Sequence, residues 1–247
     1  NMKIGCIIPA TSKGRDWTKI EESYLYKNTL KSFVLTYDKE HESVFYIGID
    51  KNDPVYDTDY NKEKLRKFCS VMKNMKIEFI YMDGITKGHL TVMWNRLFEK
   101  AYNDGCDYFF QCGDDIEFKT KKWVNDCIDT LQKSDDIGLV GPINNNPRIL
   151  TQSFVSRKHM ELFGYYFPPE IINWYCDDWI NDVYKGINKF YPLNAHLCIN
   201  IGGKPRYDIN NNTFTTQEEF TSSIETMREL CKNIVERDLK RIMDKYK

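Results

Sequence analysis

The sequence predicts an α/β protein built on a mixed, mainly parallel sheet that is flanked by helices. Four apolar runs have the length and composition of buried strands, at residues 3–9, 43–50, 76–82 and 106–112. Between them lie segments whose apolar residues recur at helical spacing. Strands that alternate with helices are joined by crossover connections, which make them parallel and place helices on both faces of the sheet. Ligands of such sheets bind at the carboxyl ends of the strands.

The predicted elements of the first half alternate regularly. In chain order they are a strand at 3–9 that ends in Pro9, a helix at 20–37, a strand at 43–50, a helix at 63–75, a strand at 76–82, a helix at 89–102 and a strand at 106–112. The polar segments 9–15, Asp50 and 113–115 follow three of these strands and are expected to meet at one edge of the sheet.

The second half is less regular. It predicts a helix at 120–134, a strand at 137–142, a strand and helix at 153–164 that end at Gly164, and an aromatic-rich segment at 165–186. A C-terminal helix should begin near Gln217, because Thr216 and Glu219 have the spacing of a capping box. An apolar stripe on that helix favours packing in the core over a homodimer contact, and it consists of Phe220, Ile224, Met227, Cys231 and Ile234.

Composition limits the class of protein. A chain of 247 residues with 41% hydrophobic content suits one domain, 1–247. The 35 basic and 36 acidic residues nearly balance, which argues against a nucleic-acid partner. Eight cysteines without a C-x-x-C pair predict buried thiols in a reducing compartment. No apolar run approaches the ~18 residues of a membrane span, so we expect a soluble, cytoplasmic protein.

Two adjacent carboxylates, Asp114 and Asp115, follow Gly113 at the end of the strand at 106–112. Like charges side by side repel each other unless solvent, a proton or a cation separates them. The pair therefore predicts a site for a divalent metal. Gly-Asp-Asp occurs both in the metal-binding hairpin of viral RNA polymerases and in variants of the glycosyltransferase metal motif.

The polymerase alternative has some further support. Thr91 and Asn95, after Gly88, partly resemble the helix that precedes the polymerase hairpin, although the glycine is one residue too close. Such polymerases also need finger and thumb regions, for which this chain has no room, and a basic surface, which its net charge of -1 does not provide. This remains a remote alternative.

A second resemblance covers far more of the chain. The segment "GHLTVMWNRLFEKAYNDGCDYFFQCGDD" resembles the central block of nucleotide-sugar glycosyltransferases of the GT-A fold, of the family 2 kind. In that block a helix bearing an Asn leads through a Gly-containing turn into a strand that ends in the metal acids. Other segments resemble motifs of these enzymes in the same order, namely "IGCIIPATSKGR", "YIGIDKND", "YCDDW" and "NAHLC".

The resemblance implies a single GT-A domain. A nucleotide-binding half would span 3–115, an acceptor and catalytic half 116–205, and a C-terminal helix 215–247. It implies a nucleotide-sugar donor, most simply a UDP-sugar, held by residues on the strand ends and the central helix: Pro9, Thr11, Ser12, Arg15, Asp50, Asn95 and Asp114. For Thr11, Ser12 and Arg15 a solvated loop is the alternative role, and for Asp50 a cap of its strand.

The implied metal is Mn²⁺ or Mg²⁺, bound by Asp115, Asp114 and His196. Hard oxygen ligands suit both ions, and the imidazole favours Mn²⁺. Many members of the family have an acid where this chain has Gly113, so the choice between Asp114 and Asp115 as the metal ligand stays open. His196 could equally be an ordinary polar residue near a strand.

The second acidic pair supplies the implied catalytic residues. Asp178 matches the general base that takes the proton of the acceptor hydroxyl, with Asp177 as its acidic neighbour, and the displacement would invert the anomeric centre. Asp177 could instead be the N-cap of a helix. At most one of Trp174, Tyr175 and Trp179 is expected to stack on a sugar ring, since aromatic side chains at this spacing usually pack in a core.

Two alternatives share the fold. A sugar-1-phosphate nucleotidyltransferase would have a Gly-rich first loop with a Thr-Arg pair, unlike "PATSKGR". A non-catalytic glycan-binding protein would have no need of Asp114, Asp115 and Asp178. The sugar, the base and the acceptor, whether glycan, lipid or protein, depend on loop shapes and stay open.

Overall fold

The computed structural model describes residues 1–146, 148–202 and 216–245. Eight strands are present in this part of the chain: β1 Lys3–Pro9, β2 Glu42–Ile49, β3 Met75–Tyr81, β4 Tyr108–Gln111, β5 Ile116–Phe118, β6 Leu139–Ile143, β7 Ser153–Ser156 and β8 Phe190–Asn200. The described α-helices are α1 Lys31–Thr36, α2 Asp59–Ser70, α3 Leu90–Asn103, α4 Trp123–Gln132, α5 Lys158–Phe163, α6 Cys176–Gly186 and α7 Gln217–Lys245.

The strands form one sheet in the order β3-β2-β1-β4-β7-β6-β8-β5. β3, β2, β1 and β4 are parallel, as the sequence predicted. β7 runs antiparallel between β4 and β6, and β8 is parallel to β6. β5 pairs antiparallel with the end of β8, so that Ile116 lies opposite Asn200. The carboxyl ends of β1, β2, β4 and β8 therefore share one edge of the sheet.

Two apolar layers cover the sheet. One contains α1, α2 and α4 and includes Phe33 and Trp123, whose ring stacks on Phe118 with centroids 4.9 Å apart. The other contains α3, α5, α6 and part of α7 and includes Phe98 and Trp179. Helices on both faces confirm the predicted α/β architecture.

Several element boundaries differ from the prediction. The helix expected at 20–37 is a 3₁₀ turn, Ile20–Glu22, followed by a wide π-helical stretch, Leu25–Leu30, that continues into α1. α2 begins four residues earlier than expected, because the Thr58 side chain accepts a hydrogen bond from the Asn61 amide and caps it. Gly164 ends α5 with φ of 80°, as predicted. β8 was not predicted as an 11-residue strand.

The eight cysteines are free and buried, as the sequence predicted. Within the described residues, no helix combines the length and the apolar character that crossing a membrane requires. The predicted acceptor half runs to residue 205 and the C-terminal segment from 215 to 247. Residues 203–205 of the predicted acceptor half, and residues 215 and 246–247 of the predicted C-terminal segment, lie outside the described residues.

α7 is buried against the domain mainly through its second half. Thr216 Oγ1 accepts a hydrogen bond from the Glu219 amide, 3.1 Å away, which confirms the predicted start of the helix. Its buried residues are Cys231, Ile234, Asp238 and Ile242. Of the predicted apolar stripe, Cys231 and Ile234 are therefore core residues, whereas Phe220 is 36% exposed. Within 217–230 no residue is fully buried, and Ile224 and Met227 of the stripe are half-buried.

Asp238 anchors this helix. Its carboxylate is fully buried and accepts hydrogen bonds from Trp179 Nε1 of α6, at 3.0 Å, and from the Tyr165 hydroxyl, at 2.7 Å. Arg237 and Arg241 form ion pairs with it at 3.2 and 3.1 Å. A buried charge is tolerated only when it is paired and hydrogen-bonded in this way.

We expect Asp238→Ala to lower the free energy of unfolding by about 3 to 5 kcal/mol, because it leaves buried donors and two guanidinium groups without their acceptor. Chemical denaturation monitored by tryptophan fluorescence measures the change. Asp244→Ala is the matched control, since Asp244 is exposed near the end of the same helix. A loss for Asp238→Ala no larger than that of the control would contradict the anchoring role.

Candidate functional site

The loop after β1 is bound to the end of β4 by Asp114. This side chain is 1% exposed, and its Oδ2 accepts a hydrogen bond from the Thr11 amide at 3.3 Å. The Thr29 hydroxyl donates to the backbone oxygens of Asp114 and Ile116, at 3.3 and 2.7 Å. Asp114 is thus part of the framework that brings the predicted nucleotide loop to the metal motif.

Asp115 is the acid of the pair that is not fully buried. Burial raises the pKa of its carboxyl group, while hydrogen bonds from the Gly202 amide and the Asn200 side chain and the charge of Arg15 oppose the rise. A Cβ at Gly202 would overlap the Asp115 carboxylate. The end of β8 therefore closes over Asp115, and only a glycine permits so close an approach.

The charge of Arg15 acts on the Asp115 carboxylate. Its guanidinium carbon lies 4.8 Å from the ring centroid of Tyr24 and 5.5 Å from that of Trp17. Its Nε and Nη2 atoms are buried and have no hydrogen-bond partner among the described residues. Buried donors are rarely left without an acceptor in a folded protein. An anionic ligand with two or more oxygens, such as a phosphate, matches this fork of donors.

Thr11 and Ser12 shape the loop. The Ser12 amide and hydroxyl donate to the Asp53 carboxylate at 3.0 and 2.7 Å, and the Thr11 hydroxyl accepts from the Lys13 amide at 3.2 Å. Asp53 also accepts from the amides of residues 55 and 56, both at 2.9 Å. The prediction that Ser12 donates to a ligand does not fit this geometry, because both of its donors are already used.

Asp50 lies exposed at the end of β2, as predicted. Partial burial and the charge of Asp53 raise the pKa of its carboxyl group, and Lys87 and Lys13 oppose the rise. Lys87 was not predicted. It precedes α3 in a loop without a motif, and only the fold brings it to the same edge as Pro9, which ends β1.

Asn95 has a structural role that differs from the prediction. Its side-chain oxygen accepts hydrogen bonds from the amides of Tyr166 and Phe167, at 3.0 and 2.9 Å, and its nitrogen donates to the Phe167 oxygen at 2.8 Å. The side chain therefore ties α3 to the segment after α5. This arrangement corrects the expectation that Asn95 contacts the nucleotide.

His196 is also placed differently from the prediction. Its Nε2 lies 2.6 Å from Asp126 and its Nδ1 lies 2.7 Å from the Thr120 hydroxyl. Ile116, the residue after the acids, lies opposite Asn200 of β8. His196 comes four residues before Asn200 in the same strand, which at the rise of a strand separates the two positions by about 13 Å. The expectation that it joins Asp115 as a ligand is therefore corrected. Within the described residues, no three His, Cys, Asp or Glu side chains are arranged to hold a metal ion.

The second acidic pair lies in the first turn of α6. Tyr175 is the N-cap, in a left-handed conformation with φ of 74°, so Asp177 is not the cap. The Asn181 side chain accepts from the Leu150 amide and donates to the Leu150 oxygen, at 2.9 and 2.8 Å. Leu150 precedes β7, whose first residues lie opposite the end of β4. The amino end of α6 is thereby held at the same edge of the sheet.

The two acids of α6 differ in their surroundings. Asp177 is half-buried, and its loss of hydration, followed by the charge of Asp178, raises its pKa to about 7. The Asp178 carboxylate accepts no hydrogen bond from the described residues. Of the neighbouring aromatic residues, Trp179 is fully buried, which leaves Trp174 and Tyr175 as candidates for contact with a sugar.

The pairing of the strands on either side of Gly-Asp-Asp argues against the polymerase alternative. β4 pairs with β1 and β7, whereas β5 pairs with β8. The segment Gly113–Asp115 therefore links strands that are not neighbours in the sheet. It is not the tip of a hairpin, and the polymerase interpretation does not fit.

Comparison with known proteins supports the fold. No protein-family model and no curated protein matches the sequence. A structure of a fragment of S. aureus TarS in complex with UDP-GlcNAc matches with a TM-score of 0.58 and 14% identity, covering 92% of this chain and 65% of that chain. The same fragment in complex with UDP matches with a TM-score of 0.51 and 13% identity, covering 92% of this chain and 64% of that chain.

A further TarS structure matches with a TM-score of 0.52 and 14% identity, and this chain covers only 39% of it. TarS is a glycosyltransferase of the GT-A type. At this level of identity the likeness establishes the architecture: the chain has the GT-A fold, as its motifs predicted.

The raised pKa of Asp177 predicts a dependence of stability on pH. The unfolded chain releases this proton near pH ~4, and the folded protein holds it until about pH 7. The folded state therefore binds more protons in this window, and its stability falls as the pH rises through it. We expect Asp177→Asn to lack this part of the fall, so that its stability relative to the wild type increases from pH ~4 to ~7.

Chemical denaturation at a series of pH values measures this difference. Asp129→Asn is the control, because Asp129 is exposed on α4. It should follow the wild type at every pH. If the curve of Asp177→Asn also ran parallel to that of the wild type, Asp177 would have an ordinary pKa in the folded protein.

Proposed function

We propose that the protein transfers a sugar from a nucleotide-diphosphate sugar, in the first instance a UDP-sugar, to an acceptor hydroxyl group. The observation that carries the proposal is the guanidinium of Arg15, whose buried Nε and Nη2 have no hydrogen-bond partner among the described residues and whose charge acts on Asp115 at the carboxyl edge of a GT-A sheet. The TarS complexes with UDP and UDP-GlcNAc support the choice of nucleotide through the shared fold.

Arg15 and Asp115 would bind the diphosphate together. The guanidinium can donate two parallel hydrogen bonds to phosphate oxygens and stabilise the charge that develops as the glycosidic bond breaks. The rings of Trp17 and Tyr24 hold it in position. Asp50, which is exposed at the end of β2, can accept a hydrogen bond from the base or ribose.

A divalent cation fits this site if the donor supplies part of its coordination shell. Asp115 would hold the ion, because the Asp114 side chain is buried against the Thr11 amide. Mg²⁺ and Mn²⁺ are commonly bound by one or two carboxylates together with substrate phosphates. When bound, such an ion stabilises negative charge on the leaving diphosphate. Since His196 lies elsewhere, the argument that favoured Mn²⁺ over Mg²⁺ no longer applies.

Asp178 is the proposed general base. Its carboxylate would accept the proton of the acceptor hydroxyl while that oxygen forms the new bond to the anomeric carbon and the bond to the nucleoside diphosphate breaks. Attack from the face opposite the leaving group inverts the anomeric centre. Asp177, whose pKa is raised to about 7, would be largely neutral below that pH, which removes a like charge from beside Asp178.

The nucleotidyltransferase alternative has less support. The loop after β1 is fixed by Asp114 and Asp53, so its Thr11 amide and both Ser12 donors point into the protein. A loop that wraps a triphosphate needs such groups to be free. The experiments below also test the alternative that the protein binds a glycan without catalysing a reaction.

The donor experiment is a thermal-shift measurement with UDP-, GDP-, dTDP- and CMP-linked sugars, each with and without Mn²⁺ or Mg²⁺. We expect one nucleotide class to raise the midpoint in a metal-dependent way, because a ligand that binds only the folded state stabilises it by mass action. Asp115→Asn should abolish the dependence on the metal. Asp129→Asn, at an exposed position of α4 that takes no part in the site contacts described above, should behave as the wild type.

A shift that persists without metal, and is equal in Asp115→Asn, would reject the metal site while keeping the nucleotide site. No shift with any donor, in a protein that melts cooperatively, would reject the proposed function.

The catalytic role of Asp178 is tested by turnover of the donor identified above, measured as release of nucleoside diphosphate with water as the acceptor. We expect Asp178→Asn to reduce the rate by about 10²- to 10⁴-fold, since it removes the general base, and to leave the donor-induced thermal shift unchanged. Asp129→Asn again serves as the control. A rate that is unaffected in Asp178→Asn but lost in Asp177→Asn would assign the base to Asp177.

A further inference from the structure

A groove lies between α6 and α7, beside the proposed base. It has a volume of about 940 Å³. One side is lined by Trp174 and the acids of α6, Asp177, Asp178 and Asp182, and the other by Arg228, Lys232 and Glu236 of α7, with Arg148 also on its wall. Ligand sites of proteins commonly have volumes of about 300 to 1,000 Å³. The groove is therefore large enough for a ligand that extends beyond a single sugar unit.

The wall formed by α7 results from the way that the helix is attached. Asp238 and the buried apolar residues hold its second half, whereas residues 217–230 include no fully buried side chain. The ring of Trp174 meets that of Phe220 edge-on, with centroids 5.5 Å apart. Arg228 and Lys232 are four residues apart, so both side chains lie on the same face of the helix, towards the groove.

Opposite charges face this groove without pairing across it. Arg228 and Lys232 form no ion pair or hydrogen bond with their side chains among the described residues, and neither does Arg148. Asp178 and Asp182 are likewise one helical turn apart on α6, and their charges act on each other and on Cys231 in the floor. Because no ion pair joins the two rows among the described residues, both are available to a ligand that lies between them.

Charged side chains on a surface are usually only solvated, and Arg228 and Lys232 alone would indicate no more than that. Their position adds information, because they share one groove with an aromatic ring and with a carboxylate that accepts no hydrogen bond from the described residues. An aromatic face suits a sugar ring, a free carboxylate suits a hydroxyl group, and adjacent cations suit an anion.

We propose that this groove binds the acceptor, and that the acceptor is a saccharide carrying an anionic group, either a phosphate, a sulfate or a carboxylate. The sugar ring lies against Trp174, one of its hydroxyl groups reaches Asp178, and the anionic group binds Arg228 and Lys232, with Arg148 as a third cation. The inference rests on the proposed glycosyltransferase function, and it adds the class of the acceptor and the contribution of α7.

The test compares saccharides that differ only in charge. The probes are the methyl glycosides of glucose, glucose 6-phosphate, glucose 6-sulfate and glucuronic acid, titrated calorimetrically into the protein loaded with nucleoside diphosphate. We expect at least one anionic probe to bind about tenfold or more tightly than the neutral probe, because hydrogen bonds between charged partners contribute ~1.5–3 kcal/mol each. The three anionic probes show which group is preferred.

The double variant Arg228→Gln/Lys232→Gln should lose this preference and keep the donor-induced thermal shift. Its control, Lys133→Gln/Lys240→Gln, changes the net charge equally at exposed positions outside the groove. It should keep the preference. Arg228→Glu/Lys232→Glu should make the neutral probe the better ligand, a result that a loss of folding cannot imitate.

The outcomes separate this inference from the proposed function. If no nucleotide sugar binds, the proposed function fails and the acceptor inference fails with it. If the donor binds but neutral and anionic probes bind equally, or none binds, the inference is overturned and the proposed function stands. A preference that survives in Arg228→Gln/Lys232→Gln also overturns it.

Discussion

The candidate donor site depends on two buried carboxylates that hold the loop after β1. Asp114, at the end of β4, accepts the amide of Thr11, and Asp53, after β2, accepts the amide and hydroxyl of Ser12. A buried carboxylate needs donors of this kind to offset its loss of hydration. Because the acids follow two different strands, the loop is fixed relative to both. Arg15, three residues after Ser12, belongs to this fixed loop, and its charge acts on Asp115.

The two adjacent acids thereby acquire different roles. Asp114 stabilises the framework, whereas Asp115 lies against Gly202, just after β8, and is influenced by the charge of Arg15. A single accessible carboxylate is a weak metal site without further ligands, and it becomes adequate when a diphosphate brings its own oxygens. Binding of metal and donor would then be coupled, since each supplies ligands or charge that the other needs.

The sequence predicted the features that local patterns encode. Apolar runs separated by helical segments located β1, β2, β3 and β4, and a strand that ends in Gly-Asp-Asp placed the two acids at the edge of the sheet. It did not predict contacts between distant residues. The bond between Thr11 and Asp114 spans 103 positions, and nothing near either residue indicates it.

The incorrect expectations have the same origin. His196 and Asn95 were assigned by their positions in motifs, but their neighbours are set by strand register and by the packing of α3. β8 was missed because Pro192 interrupts it and its burial follows no strict alternation. The structural role of Asp53 could have been predicted from the local sequence. Asp53 is followed directly by Pro54, and an Asp in such a turn often accepts hydrogen bonds from the backbone amides that follow it.

The second half of the chain adds a different kind of constraint. Trp179 directly follows Asp178, and its indole donates to Asp238 of α7. The contact that fixes α7 therefore also fixes the turn of α6 that carries the proposed base. The first half of α7 does not take part in positioning α6 through Asp238, because its residues before Cys231 are not buried. Substitutions on its groove face could thus change which acceptor binds while the position of Asp178 is maintained. The donor contacts of Arg15 and Asp115 come from other strands, so the two specificities are physically separable.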